Sequence, residues 1–145
     1  MTEDTLTDDE QLRALAALEA ISANEDGALT VLADSRPGER PLPALLATYG
    51  QHNIQRILLV AFGADPGMND DETARIIAEI NADPQAQLAG VLTDTLRQWA
   101  AMAGGDPAVA KVIGGAVLNA INAFTEEDDT PTLLRALRQE VLKAG

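Results

Sequence analysis

The sequence predicts an all-α fold, a compact bundle of six or seven helices. Five segments open with helix-capping signals, and behind each the apolar residues recur every three or four positions. Aromatic residues make up only 3% of the chain, which leaves little strand-favouring material.

Thr7-Asp8-Asp9-Glu10 has the form of a capping box, in which the Thr hydroxyl and the Glu carboxylate satisfy each other's backbone amides. It opens a helix over residues 8–23 whose inner face is Leu12, Leu15, Leu18 and Ile21. Residues 27–67 are ambiguous. Ala28 to Ala33 and Ile57 to Phe62 are continuous apolar runs, the pattern of buried parallel strands as well as of helices. An α/β alternative therefore stands beside the all-α reading, with a small parallel sheet formed by 28–33 and 56–62. Ile54, Ile57, Leu58, Ala61 and Phe62 share one helical face, which favours helix over 53–62. Residues 35–41 read as a polar loop, and Leu42 to Tyr49 as a short, proline-led surface helix that could dock on a partner. Gly63 to Gly67 reads as a helix end followed by a turn rather than a phosphate loop, because no Gly-Lys-Ser/Thr follows.

Asn69 caps the next helix, lined by Ile76, Ile77 and Ile80. Asp83-Pro84, Asp106-Pro107 and Thr130-Pro131 each place a capping side chain before a proline at the first helical position. The stripe Leu88, Val91, Leu92, Leu96, Trp99, Met102 then predicts the core face of one helix, with Trp99 as an anchor. Val109, Val112, Ile113, Val117, Ile121 and Phe124 predict the next, and Leu133, Leu134, Leu137 and Val141 the last. Short connections make these neighbours antiparallel, so the C-terminal four helices should form a bundle against which the first helix packs. Residues 1–6 read as a disordered acidic N-terminus and residues 7–145 as a single helical domain.

Composition narrows the function. Twenty-three acidic residues face ten basic ones, a formal charge of −13, so nucleic acid and anionic membrane surfaces are disfavoured as partners. Five acids among the first ten residues are the reverse of a signal peptide, and a cytoplasmic location is expected. With no cysteine, disulfide scaffolds, thiolate metal sites and cysteine nucleophiles drop out. His52 is the one histidine and sits between amides, an exposed polar position in this reading.

The cluster Asp65, Asn69, Asp70, Asp71, Glu72 has oxygen ligands but the wrong register for a calcium loop, with Gly67 and Ile76 at the third and twelfth positions. Attraction to a helix N-terminus explains the first-turn acids. Glu72 and Glu79 on one helix, with Asp94 on another, form an incomplete carboxylate face for metal-assisted hydrolysis. Glu126 to Asp129 reads as a solvated connection, or as part of an acidic surface that mimics nucleic acid toward a basic partner.

Gly114-Gly115 stands out, since two glycines within a helix cost about 1 kcal/mol each relative to alanine. Close approach of another helix, within the chain or from a partner, would offset that, as would a kink at the glycine pair. Ala110, Gly114 and Leu118 form one edge and Lys111, Gly115, Asn119 and Asn122 a second, and these seven are the candidate interface. The expected function is a non-catalytic helical protein–protein interaction module (a regulator, adaptor or assembly chaperone) that self-associates as a homo-oligomer or binds a protein partner. No cofactor is implied. The alternatives are a small metal-dependent hydrolase using carboxylates and an acidic nucleic-acid-mimicking inhibitor.

Overall fold

The computed structural model describes residues 5–34, 37–125 and 130–144. These form seven helices: α1 (Asp8–Ser22), α2 (Asp26–Ala33), α3 (Leu42–Ala61), α4 (Asp70–Ala82), α5 (Pro84–Ala103), α6 (Pro107–Thr125) and α7 (Thr130–Ala144). The fold is all-α, and the parallel-sheet alternative is overturned: residues 28–33 lie in α2 and 56–61 in α3. No described helix is long and apolar enough to cross a membrane.

Local chemistry sets the helix ends. The Thr7 hydroxyl accepts from the Glu10 amide at 3.1 Å, and Glu10 Oε1 accepts from the Thr7 amide at 3.0 Å, completing the capping box. Asn69 Oδ1 accepts from the Glu72 amide and Asp83 Oδ2 from the Ala86 amide. Asn24, at φ 58°, lets the Glu25 amide reach back to the Ala20 carbonyl and stop α1. Gly63, at φ 96°, does the same for α3, where the Ala64 amide bonds the Leu59 carbonyl.

The Glu10 carboxylate also accepts from Arg40 Nε at 3.2 Å. Burial pushes its pKa up, but the Thr7 amide and the Arg40 guanidinium outweigh that and hold it below the usual glutamate range. Glu10→Ala should lower stability by about 1 kcal/mol at neutral pH, the usual worth of a cap. The sign with pH follows from a depressed folded pKa: the contribution is present above the unfolded value and lost as pH falls through the folded one. Urea titrations of both chains should therefore converge in acid; a deficit constant with pH would contradict this account.

The centre of the molecule is α3, the segment that the sequence left most ambiguous. Leu42, Leu45, Leu46, Ala47, Tyr49 and Ile54 are all at most 3% exposed. Leu42 to Tyr49 is thus not a surface helix, and it is continuous with the segment expected at 53–62: one 20-residue helix runs from Leu42 to Ala61. It packs against α6 and α5 and touches α1, α2 and α4. The expected bundle of the C-terminal four helices does not form. α7 lies mainly on α1, closing its Leu134, Leu137 and Val141 over that helix, and α4 lies on α5 and the end of α3.

Cations tie the layers together: Lys111 on α6 to Asp26 on α2 at 3.0 Å, Arg138 on α7 to Glu19 on α1, and Arg97 on α5 to the Gln51 amide oxygen on α3 at 2.8 Å. Arg13 donates to the carbonyls of Leu32 and Arg40, both at 2.8 Å, and so holds the connection between α2 and α3 against α1. Leu6 is buried in the core, so the expected disorder of residues 1–6 does not extend to it; residues 1–4 lie outside the described residues.

Candidate functional site: the outward face of α5

The largest departure from the sequence reading is on α5. Its expected core stripe points outward. Leu88 is 70% exposed, Val91 65%, Leu92 38%, Trp99 40% and Met102 85%, and only Leu96 of the stripe is buried. The buried face is instead Ala86, Ala89, Thr93, Leu96 and Ala100. These recur at three- and four-residue spacing and are mostly small, which lets the backbone of α5 approach α3 closely. Thr93 keeps its hydroxyl satisfied within the helix, donating to the Gly90 carbonyl at 3.1 Å. α5 thus has two apolar faces, a small-residue one turned inward and a large-residue one turned out. Trp99 is not a core anchor.

Beside this face lies a shallow groove of about 370 Å³ between α5 and α6, lined by Gln85, Leu88, Ala89, Leu92, Ala120 and Ala123. Its floor is methyl groups. Charge is sparse here: residues 84–125 contain only Asp94, Asp106, Arg97 and Lys111, which cancel, so the net charge of −13 belongs entirely to the rest of the chain. Surfaces of this kind, contiguous, apolar and uncharged, mark association sites more often than they occur by chance.

The seven residues singled out on α6 divide. Ala110 is fully buried and Leu118 nearly so. A Cβ at Gly114 would run into Ile21 Cδ1 on α1, and would sit 3.4 Å from both Leu18 Cδ2 and Leu46 Cδ1. The Ala110–Gly114–Leu118 edge is therefore spent on packing within the chain, against α1 and α3. On the second edge Lys111 is engaged by Asp26 and Asn122 is half-buried, whereas Asn119 is exposed and Gly115 has no heavy atom within 4 Å of a built Cβ. The sequence reasoning missed the α5 face because it ranked residues by hydropathy alone. The available signal was a second apolar row, Ala86, Ala89, Leu96 and Ala100, beside the large one on α5, a band wider than a single core-facing stripe.

His52 is half-buried on α3 and lines a cleft of about 270 Å³ with Leu6, Gln11, Tyr49, Asn53 and Arg56. The polar groups of that cleft bind one another: Asn53 Nδ2 donates to the Tyr49 carbonyl at 2.9 Å, Asn53 Oδ1 accepts from Arg56 at 2.6 Å, and Arg56 pairs with Glu140 at 3.4 Å. Asp70 and Asp71 are exposed and Glu72 is half-exposed in the first turn of α4, and among the described residues no three Asp, Glu or His side chains converge as metal ligands would. Glu126 to Asp129 lie outside the described residues. Compared with known protein families, with curated proteins and with solved structures, the chain matches none.

Proposed function

We propose that this protein is a non-catalytic helical interaction module whose docking surface is the outward face of α5, and that it acts by self-association or by binding a protein partner in the cytoplasm. One observation carries the reading: five large apolar side chains stand in solvent on a helix whose small side chains fill the core. Turning α5 over would bury the large residues, yet α3 needs the alanine face for close packing. The exposed stripe is then explained by a second polypeptide that covers it, burial of apolar area being the main driving force of association. Regulator, adaptor and assembly chaperone are all roles such a surface can serve.

The test is a photoreactive residue placed at Thr95, in the middle of the stripe, in cells that natively make the protein. A matching probe at Ala78, exposed on α4, is the control. Covalent adducts are expected from position 95 and not from 78, and should vanish when Val91→Glu is added. An absence of adducts at 95, or equal yields at the two positions, would overturn the proposal.

A further inference from the structure

Resting on that docking reading, we infer that the occupant of the α5 face is a second copy of this chain, packed antiparallel across a two-fold axis at Thr95. Charge points to the copy. A partner chosen by electrostatics would be basic and would be drawn to the acidic surface, whereas α5 lies within the electrically neutral stretch 84–125. Two chains of charge −13 repel each other everywhere else, so the neutral face is where they can touch. The area is of the right order. The five exposed side chains and the groove beside them offer roughly 600 Å² per copy, at the lower end of the ~1,200–2,000 Å² total of a standard interface.

Direction follows from the spacing of the side chains. The outward residues at 88, 91, 95, 99 and 102 are spaced by three and four as in a helix–helix seam, with Leu92 beside Val91. About Thr95 the positions 88, 91, 95, 99 and 102 mirror one another: Leu88 meets Met102 of the second copy and Val91 meets its Trp99, a small residue against a large one, while Leu92 faces its Gln98. The two Thr95 residues meet each other. Met102, the most exposed of the set at 85%, then lies beside the groove that borders Leu88 in the other copy. Its unbranched thioether suits an irregular apolar groove of that kind. A parallel pair would set Trp99 on Trp99 and leave both grooves empty. Antiparallel contact is also what a two-fold axis perpendicular to the helix generates, with identical patches on both copies.

The chain has no cysteine, so single substitutions give an unambiguous readout. In the antiparallel pair, Thr95→Cys should oxidise to a disulfide-linked dimer. Leu88→Cys alone should not, because the two copies of position 88 are then about 21 Å apart, fourteen residues at the helical rise, far beyond the ~7 Å Cα limit of a disulfide. Leu88→Cys mixed with Met102→Cys should link again.

For the unmodified full chain, light scattering should give the mass of two 145-residue chains. Added salt should tighten the dimer, because it screens repulsion between like-charged bodies. Val91→Glu should raise the dissociation constant at least 100-fold with helical circular dichroism unchanged. Leu88→Cys linking faster than Thr95→Cys would overturn the antiparallel arrangement. A monomer at every concentration would overturn the second copy as occupant, and if position-95 adducts to a different protein persisted, the docking reading would survive that failure.

Discussion

Replacing Gly50 with valine should destabilise the protein by more than about 3 kcal/mol, the largest effect of any single added side chain. Gly50 lies on α3 where α6 crosses it, and a Cβ built there comes within 2.6 Å of Val117 Cγ2 and 2.9 Å of Val117 Cγ1. Real Cβ atoms do not approach so closely, so something must move. Val117 is 1% exposed and branched at Cβ, with one strongly preferred rotamer in a helix, and it has nowhere to turn. Overpacking a filled core costs about 1–3 kcal/mol for one or two methylenes. Alanine at 50 recovers up to about 1 kcal/mol through helix propensity and should end modestly destabilised. Valine adds two more carbons and forfeits most of that gain.

The glycines of α6 provide the contrast. At Gly114 the obstacle is Ile21 Cδ1, the far end of a half-buried side chain that can rotate away, so Gly114→Ala should lie within about 1 kcal/mol of the original. At Gly115 nothing lies within 4 Å, and alanine should stabilise by up to about 1 kcal/mol. Urea unfolding midpoints should therefore rank Gly115→Ala above Gly114→Ala above Gly50→Ala above Gly50→Val. A Gly50→Ala chain as stable as Gly115→Ala would mean that α3 and α6 do not cross at this distance. Pairing Gly50→Ala with Val117→Ala should show positive coupling, because the second change removes the obstacle to the first.

These glycines also show where a sequence is readable and where it is not. The helix starts at Asp8, Asp70 and Pro84 were legible because a capping side chain and the amide it accepts from are three residues apart, so the whole interaction lies within one short word of sequence. The end of α3 at Gly63 was legible for the same reason. What fills the space beside Gly50 or Gly114 is not local: Val117 is sixty-seven positions from the first, and Ile21 more than ninety from the second. The Gly114-Gly115 pair suggested close approach, which was correct for Gly114, but sequence could not tell a neighbour within the chain from one outside it.

The error on α5 is of another kind. Hydropathy ranks leucine and tryptophan above alanine, so a helix carrying both kinds on opposite faces was read with its large residues inside. Packing distance decided otherwise, since α3 is itself lined by leucines and a tyrosine and faces mostly alanine and threonine, with Leu96 the one large residue buried opposite. The Ala110–Gly114–Leu118 edge of α6 is occupied within the chain for a related cause. Ala110 and Gly114 are small because neighbouring helices press on them, whereas the groove-lining Ala120 and Ala123 are small on the outside, where the floor of a docking groove is useful.

Alkali should unfold this protein through Tyr49. Its side chain is 2% exposed, and burial pushes the hydroxyl from its ordinary value of 10 up to about 12. The Asn53 side chain and the Arg56 and Arg138 guanidiniums favour the phenolate, while Glu140 opposes it, and desolvation outweighs all of them. A group whose folded pKa lies above its unfolded pKa contributes stability that is complete below the unfolded value and is lost as pH rises through the folded one. The window is therefore pH 10 to about 12. Two pKa units correspond to about 2.7 kcal/mol, a large part of the stability of a domain of this size.

Tyr49 is the sole tyrosine, so its phenolate absorbance in the near ultraviolet reports one group without deconvolution. The native chain should titrate near the upper end of that window and the urea-unfolded chain near the ordinary value. Tyr49→Phe should keep the packing of the ring and abolish the alkaline decline in unfolding free energy over the same interval. A native titration midpoint at the ordinary value would place Tyr49 in water, which would contradict the central position of α3 in the fold.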